Sequence, residues 1–368
     1  MGFDLVIIGL GPAGASAAIK AARAGFSVAG YEMKAVAGHP VQCAEFIPAM
    51  LDAGELVISK TSVQKIFEMI TFVEEDLDLT KNFSGHMIDR RAFDASLVDK
   101  AITVGAKCTF GIKLKTIDND GALTFSNGDV VRAKVIIGAD GPLSMIGKAI
   151  GSINTDIVET RQISVPLLKP HIATDIYLSN KIPGGYGWMF PKGDVANIGL
   201  GVYANQKELL KSALEGLHKR IAQTGQVGTD IIGYTGGAIP VGGMLKSSGQ
   251  IGESLVLLAG DAAGLTNPVT GAGIAAGVMS GRLAGDAAAA YLAGITEAVE
   301  IYEEDLEDLF GASLHRAVLR RKELMDLGTA QGKLSKDAMR GAWIAYESYW
   351  QKRSLKRVEG ESNELCSN

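Results

Sequence analysis

Cysteine is scarce in this chain: three residues in 368, Cys43, Cys108 and Cys366, widely spaced and odd in number. That excludes a disulfide framework or a zinc-type ligand set, and a reducing cytoplasm is the expected setting. Aromatic residues are few, at 6%. Positive charge is not in excess either: the formal net charge is −5, so no nucleic-acid partner is expected, since that needs a basic face. No basic stretch with a small-residue cleavage site precedes the first apolar run, so no secretory leader is read there. Nor does any apolar run suit a membrane span. The most apolar segment, about Gly273 to Leu292, carries Arg282 and Asp286 and reads as a buried helix. Low-complexity segments and solenoid-period repeats are absent.

What the chain has in abundance is glycine, 46 residues, and apolar character, 47%. That is enough to bury one large or two ordinary cores. Phe3-Asp4-Leu5-Val6-Ile7-Ile8 suits a parallel strand covered on both faces. It breaks into Gly9-Leu10-Gly11-Pro12-Ala13-Gly14 before an alanine-rich helix over Ala15–Ala24 that Gly25 stops. In this pattern Gly9 makes the tight turn, Gly11 lets the backbone approach a pyrophosphate, and Gly14 allows close contact between helix and strand. The helix N-terminus then faces the phosphates. A second strand, Phe26–Tyr31, ends at Glu32, about 20 residues past the glycines, where a carboxylate accepts hydrogen bonds from an adenosine ribose. The fingerprint alone fits FAD and NAD equally.

Met33–Met50 lacks a period and reads as a long loop, which in a compact domain is a sign of function. His39, Cys43 and Glu45 are its chemically able side chains. An amphipathic patch follows from Asp52 to Lys65. Phe93, Leu97 and Ala101 mark one face of a helix running to Val104. Cys108–Ile117 reads as a strand that turns at Asn119-Asp120-Gly121 into Leu123–Phe125. Val130–Ile137 reads as another, ending in Gly138-Ala139-Asp140-Gly141. From Ile153 to Ile239 the period is mostly two, broken by one helix around Gln206–Ala222. Leu255–Leu258 then delivers Ala259-Gly260-Asp261-Ala262-Ala263. Val299, Tyr302, Leu306 and Leu309 predict one helix over Thr296–Leu327. Met339, Trp343, Tyr346 and Trp350 predict another over Ser335–Lys352, a stripe better suited to packing than to a membrane-contacting face. The last ten residues read as frayed.

The expected fold class is α/β: a Rossmann-like dinucleotide-binding domain with an inserted mixed β-sheet substrate domain and C-terminal helices. The boundaries expected are 1–70 with 90–150 and 250–295 for the first, 71–89 with 151–249 for the second, and 296–368 for the third.

Three separated segments point to one ligand: the N-terminal fingerprint, Gly138-Ala139-Asp140-Gly141, and Gly260-Asp261 followed by Pro268 and Gly271-Ala272-Gly273-Ile274. Together they resemble the p-hydroxybenzoate hydroxylase-like flavoproteins, which implies FAD. A second nucleotide fingerprint at Gly271-x-Gly273-x-x-Ala276 is disfavoured, because no strand leads into it and no acidic partner follows. Finer features narrow the resemblance to the geranylgeranyl reductase family. These are Tyr186-x-Trp188-x-Phe190-Pro191, the loop Gly38-x-Pro40-x-x-Cys43-x-Glu45, and Arg90-x-x-Phe93-Asp94. The likeness runs over about residues 1–295. The chain departs from the family pattern at Gln42, Ala44 and Ala272, where Arg, Gly and Glu are common.

Carried over residue by residue, the resemblance implies FAD contacts at Ala13, Glu32, Cys43, Ala44, Phe46, Arg90, Leu114, Asp261, Gly273 and Ile274. Gly9, Gly11, Gly14, Asp140, Gly141, Gly260 and Gly271 complete the expected cofactor site. Arg90 can pair with the pyrophosphate or with Asp94 at i, i+4. Tyr186, Trp188 and Phe190 share one face of a strand and suit an isoprenoid tunnel or an ordinary sheet core, with Met189 facing away. Cys43 is the catalytic candidate, with His39 and Glu45 as other acids of the same loop. The implied activity is reduction of prenyl double bonds in lipid biosynthesis by hydride transfer from reduced flavin, with NAD(P)H or ferredoxin as transient electron donor. The implied partners are an isoprenoid lipid and a membrane surface. An FAD-dependent monooxygenase or halogenase, and a non-catalytic FAD-binding redox module, are the alternatives.

Overall fold

The computed structural model of the chain describes residues 2–49 and 58–351. Met50, residues 52–57 of the amphipathic patch, Lys352 and the tail with Cys366 lie outside the described residues.

The first strand, Phe3–Ile8, lies at the centre of a six-stranded sheet in the order Ser248–Ile251, Ser254–Leu258, Ala133–Gly138, Phe3–Ile8, Val28–Glu32 and Lys107–Phe110. All neighbours pair parallel except the edge hairpin made by the first two. Leu5, Val6 and Ile7 have no exposed surface, as a strand covered on both faces requires. The helix Pro12–Arg23 follows at once, with Pro12 at its first position, where a missing N–H costs nothing. It packs closely on the helix Ile274–Leu292. A Cβ on Gly281 would stand 2.1 Å from the Ala13 carbonyl oxygen, and one on Gly285 would stand 2.5 Å from that of Ala17.

A seven-stranded mixed sheet forms the second layer, in the order Gly233–Pro240, Ile157–Pro166, Val195–Tyr203, Gly187–Lys192, Ala173–Leu178, Glu68–Val73 and Asp76–Thr80. The helix Leu210–Gln223 covers one face, burying Leu214, Leu217 and Ile221 against Met189, Ile198 and Leu200. Trp188, Phe190 and Ile176 belong to a separate cluster with Met339 and Trp343. A small sheet of Phe46–Pro48, Gly85–Ile88 and Ser62–Ile66 lies nearby. The architecture is thus the expected α/β class. The boundary drawn at residue 70 falls inside the strand Glu68–Val73, and Ser248–Ile251, drawn partly into the second unit, belongs to the six-stranded sheet.

Other local expectations are corrected. The loop over residues 33–49 ends in a strand, Phe46–Pro48. The strand expected over Cys108–Ile117 divides at Gly111, whose φ of +73° turns the chain from one sheet to another. Val130–Ile137 likewise divides into Val130–Val131 and Ala133–Gly138. The long helix at 296–327 is Ala298–Leu306 and Ala312–Gln331, joined by a π turn over Glu307–Gly311. The wider turn shifts the register, so Tyr302 and Leu306 are buried while Leu309 is 49% exposed. The last helix is two short pieces, Lys336–Gly341 and Glu347–Trp350, with Met339 and Trp343 buried and Trp350 outside.

An ionic strap fastens that C-terminal segment to the edge strand of the large sheet. Lys336 Nζ meets Asp76 at 2.9 Å. Arg340 reaches Asp76 at 2.9 Å and Asp78 at 2.8 Å, and the Tyr346 hydroxyl donates to Asp78 at 2.6 Å. Lys336 and Arg340 hold the Asp76 carboxyl below its ordinary value, and Arg340 with Tyr346 does the same for Asp78. Depressed carboxylates stabilise above their unfolded pKa, and that contribution is lost as pH falls through the folded values. The segment is therefore expected to loosen as pH falls below about 4, read as a shift in tryptophan emission. Arg340→Glu should produce the same change at pH 7; an unchanged segment at pH 3 contradicts this. At the helix contact, Gly281→Ala is expected to destabilise by about 1–3 kcal/mol in urea unfolding.

Candidate functional site

Two helix N-termini open into one cavity. Pro12–Arg23 begins after Gly11 with no side-chain cap and no acidic residue in its first turn, and Ile274–Leu292 begins in the same way after Gly273. Gly11, Pro12, Ala13, Gly273, Ile274 and Gly277 all line the cavity, whose volume is about 790 Å³. Uncapped helix starts present free N–H groups and a positive dipole end, which suits an anionic ligand.

The turn at Gly9 is held by packing. Its φ is +91°, and a Cβ there would stand 2.3 Å from the Ala139 carbonyl oxygen. A Cβ on Gly14 would stand 1.8 Å from the Gly9 oxygen, so Gly14 brings helix and turn together and is not itself part of the cavity wall. At Gly11 nothing lies within 4 Å of an added Cβ: the backbone there faces open room. Glu32 stands at the same end, its two oxygens accepting from the Leu10 and Lys34 backbone N–H groups, both at 2.9 Å. Leu114 lies beside it in the wall.

Asp140 and Gly141 line the cavity too, but the Asp140 carboxylate is engaged. It accepts from Ser144 Oγ at 2.5 Å and from the Met145 N–H at 2.7 Å, fixing the start of the helix Met145–Ala149. Burial nonetheless raises its pKa. Gly260, Asp261 and Gly271 also line the cavity, with Asn154 bridging the Pro142 and Asp261 carbonyls. Burial raises the Asp261 carboxyl, partly offset by a 2.6 Å hydrogen bond from Thr266 and by the charge of Arg90. A side chain at Gly273 would stand 2.6 Å from Thr266 Oγ1 and 3.1 Å from Asp261. Arg90 pairs with Asp94 and also faces the cavity. Its i, i+4 bonds to Asp94 run from Nε to Oδ1 at 2.7 Å and from Nη2 to Oδ2 at 3.2 Å. Burial disfavours its charge, but Asp94 and the Cys43 sulfur more than offset this.

Cys43, Ala44 and Phe46 lie between this polar half and an aromatic half. The Glu45 N–H donates to Cys43 Sγ at 3.2 Å, and Gln162 Nε2 donates to the Cys43 carbonyl at 3.2 Å. The Gln162 oxygen in turn accepts from Trp188 Nε1 at 2.9 Å. The Tyr186 hydroxyl donates to the Thr270 carbonyl, and its ring stands 4.8 Å from Trp343 and 5.7 Å from Trp188. Phe190 stands 5.7 Å from Phe46. Tyr186, Trp188 and Phe190 all line the cavity, while Met189 is buried on the opposite face.

The other acids of the loop are placed differently. His39 is exposed and not part of the wall. Glu45 lines the cavity, but its carboxylate is spent on Lys192, Asn197 and the Arg90 N–H. Gln162, Lys192, Asn197 and Arg321 carry no sequence signal of their own. Trp343 belongs to the aromatic stripe, and only the fold turns that stripe toward the cavity. Among the described residues, no group of His, Cys, Asp and Glu could hold a metal.

The arrangement fits FAD: a glycine turn with open room over Gly11, a fixed carboxylate at the end of the second strand, and two uncapped helix starts converging on one cavity. Comparison with known proteins agrees. Residues 159–239 match the family model for the geranylgeranyl reductase catalytic domain. A digeranylgeranylglycerophospholipid reductase from Methanocella arvoryzae is 33% identical over 349 residues, covering 85% of each chain. A second such reductase, from Methanopyrus kandleri, is 30% identical over 358 residues, covering 90% of this chain and 89% of that one. Among solved structures, a geranylgeranyl bacteriochlorophyll reductase-like protein from Thermoplasma acidophilum shares the fold, with TM-score 0.79, 24% identity, and coverage of 94% and 92%. The chain belongs to the geranylgeranyl reductase family of FAD-dependent oxidoreductases.

Proposed function

We propose that the chain reduces isolated carbon–carbon double bonds in the prenyl, geranylgeranyl-type, chains of membrane lipids. The observation that carries this is the continuity of the cavity, from Gly11 and Glu32 at one end, past Cys43, to the aromatic wall of Tyr186, Trp188, Phe190 and Trp343 at the other. Bound FAD, once reduced, supplies the hydride.

The residues of the chain supply everything else. The sites proposed for the cofactor are Gly9, Gly11, Ala13, Glu32, Arg90, Leu114, Gly260, Asp261, Gly271, Gly273 and Ile274, with Cys43, Ala44 and Phe46 at the junction. An isolated alkene is unpolarised, so alignment and exclusion of water matter most. The aromatic wall provides both: its rings lock one another at 4.8–6.4 Å, and Gln162 fixes Trp188 relative to the Cys43 loop. Cys43 Sγ, held beside the Arg90 guanidinium, is the proposed proton donor to the carbon opposite the one receiving hydride. The donor of electrons, NAD(P)H or ferredoxin, and contact with a membrane surface are parts of the same proposal. No helix among the described residues is long and apolar enough to cross a membrane.

Anaerobic incubation of the FAD-loaded protein with dithionite and a geranylgeranylated lipid is expected to yield products heavier by two hydrogens per bond, measured by mass spectrometry. A protein that leaves the lipid unchanged but consumes oxygen with NADPH would be a monooxygenase instead. Cys43→Ser is expected to slow alkene reduction at least about a hundredfold, the lower end of the range for a general acid, while the flavin spectrum and content stay as in the parent. A parental rate removes Cys43 from the chemistry.

A further inference from the structure

One charged side chain of the cavity wall that this reaction leaves unused is Arg321. It projects from the helix Ala312–Gln331, in the C-terminal region without a recognised motif, and joins the cavity wall near Gly184, Gly185 and Gly201. The residue is 9% exposed. Its surroundings satisfy only part of its bonding capacity. Nη1 donates to the Gly184 carbonyl at 2.6 Å, and the guanidinium lies 5.3 Å from the centre of the Tyr203 ring. Nε and Nη2 are buried with no acceptor. The Asp156 carboxylate is 3.9 Å from Nε, beyond hydrogen-bond reach, and 42% exposed, so water weakens its hold.

The site is also fixed in place. Gly184 has φ +79°, and a Cβ there would stand 2.4 Å from the Tyr203 ring; at Gly185 it would stand 2.2 Å from the Gly201 oxygen. The glycine pair is pressed against Tyr203 and its strand, so the carbonyl that orients Arg321 cannot withdraw. Tyr186, the first ring of the aromatic wall, is two residues further on. A guanidinium keeps its proton even when buried, and burial works against this one, with Asp156 and Tyr203 offsetting part of the cost. A fork of N–H donors lacking acceptors, beside a cavity, suits a phosphate or carboxylate.

We propose that Arg321 is the subsite for the phosphate-bearing end of the prenyl substrate, so that the chain distinguishes a phosphorylated prenyl compound from its neutral alcohol. This rests on the prenyl-reductase reading, with the hydrocarbon lying along Tyr186, Trp188 and Phe190. Phosphate is equally the chemistry of a nicotinamide donor, and the test separates the two.

Binding of geranylgeranyl phosphate, geranylgeraniol and inorganic pyrophosphate to the FAD-loaded protein would be followed by tryptophan emission with no nicotinamide present. The parent, Arg321→Met and Arg321→Lys would be compared, with thermal melts as a check on folding. The expected result is at least tenfold tighter binding of the phosphate than of the alcohol by the parent. Arg321→Met should abolish that preference with the alcohol unaffected, and Arg321→Lys should keep part of it. An unchanged preference in Arg321→Met, or equal losses for both ligands, overturns the proposal. So does a higher KM for NADPH in Arg321→Met with prenyl phosphate affinity unchanged, because the anion is then the donor's. If the parent binds neither prenyl compound, the reductase reading fails and pyrophosphate decides Arg321 alone. Binding lost in Arg321→Met supports an anion site, and binding absent or unchanged refutes it.

Discussion

The cavity depends on one carboxylate. Glu45 holds a φ of +70°, which costs a non-glycine residue on the order of 1–3 kcal/mol. It is retained because its side chain collects Lys192 Nζ at 2.8 Å on both oxygens, Asn197 Nδ2 at 3.1 Å and the Arg90 N–H at 3.0 Å. Hydrogen bonds involving a charged group contribute about 1.5–3 kcal/mol each, so the network outweighs the strain. Its members come from the loop carrying Cys43, the end of the strand carrying Phe190, the neighbouring strand Val195–Tyr203 and the start of the helix carrying Arg90. Loss of either charge would strand the other in a buried place, at about 3–5 kcal/mol. Glu45 is thus the fastening that sets Cys43 against Arg90. With its oxygens so engaged, it is poorly suited to give up or take a proton during turnover.

The polar half of the cavity follows from a second constraint, the close approach of two helices. Ala13 and Ala17 meet Gly281 and Gly285 with no room for another carbon. Because the helices Pro12–Arg23 and Ile274–Leu292 pack so tightly, their uncapped starts lie at the same end and open into one space. Free N–H groups at a buried helix end are costly unless a ligand meets them. Two such ends in one cavity favour a ligand with separated acceptor groups, a pyrophosphate and a polar ring edge, over a single small anion. The sequence patterns at Gly9 and at Gly271 therefore lie at two helix starts that open into one cavity.

What was legible in the sequence is what short range encodes. The strand, turn and helix around Gly9, Gly11 and Glu32 are consecutive, so spacing alone places them. Period two puts Tyr186, Trp188 and Phe190 on one face and Met189 on the other. What was not legible depends on residues far apart in the chain. Lys192 meets Glu45 across 147 positions and Gln162 meets the Cys43 carbonyl across 119; no periodicity announces either. Arg321 is another such case, since a helical arginine is ordinarily a solvated one. The helix break at Glu307–Gly311 escaped for a different reason: a π turn adds to the register without any proline or glycine pair to signal it, and only the outward placement of Leu309 shows that it has happened.

The two halves of the cavity differ in polarity but share one demand, exclusion of water, and the C-terminal segment contributes to it. The backbone N–H groups and Arg90 of the polar half attract an anion more strongly when water is excluded. A prenyl chain needs the same exclusion, because its binding is burial of apolar surface. Trp343 and Ile344 close the aromatic end of the wall, yet the segment that carries them is fastened from outside, by Lys336 and Arg340 on Asp76 and Asp78. Those contacts are half-buried and modest singly. The apolar contacts inside and the ionic contacts outside thus divide the work: the rings exclude water, while the strap sets where the segment lies. The segment is held further by Asn180, which exchanges hydrogen bonds with Leu334, and by the buried Arg320, which donates to the Ser348, Tyr349 and Gln351 carbonyls.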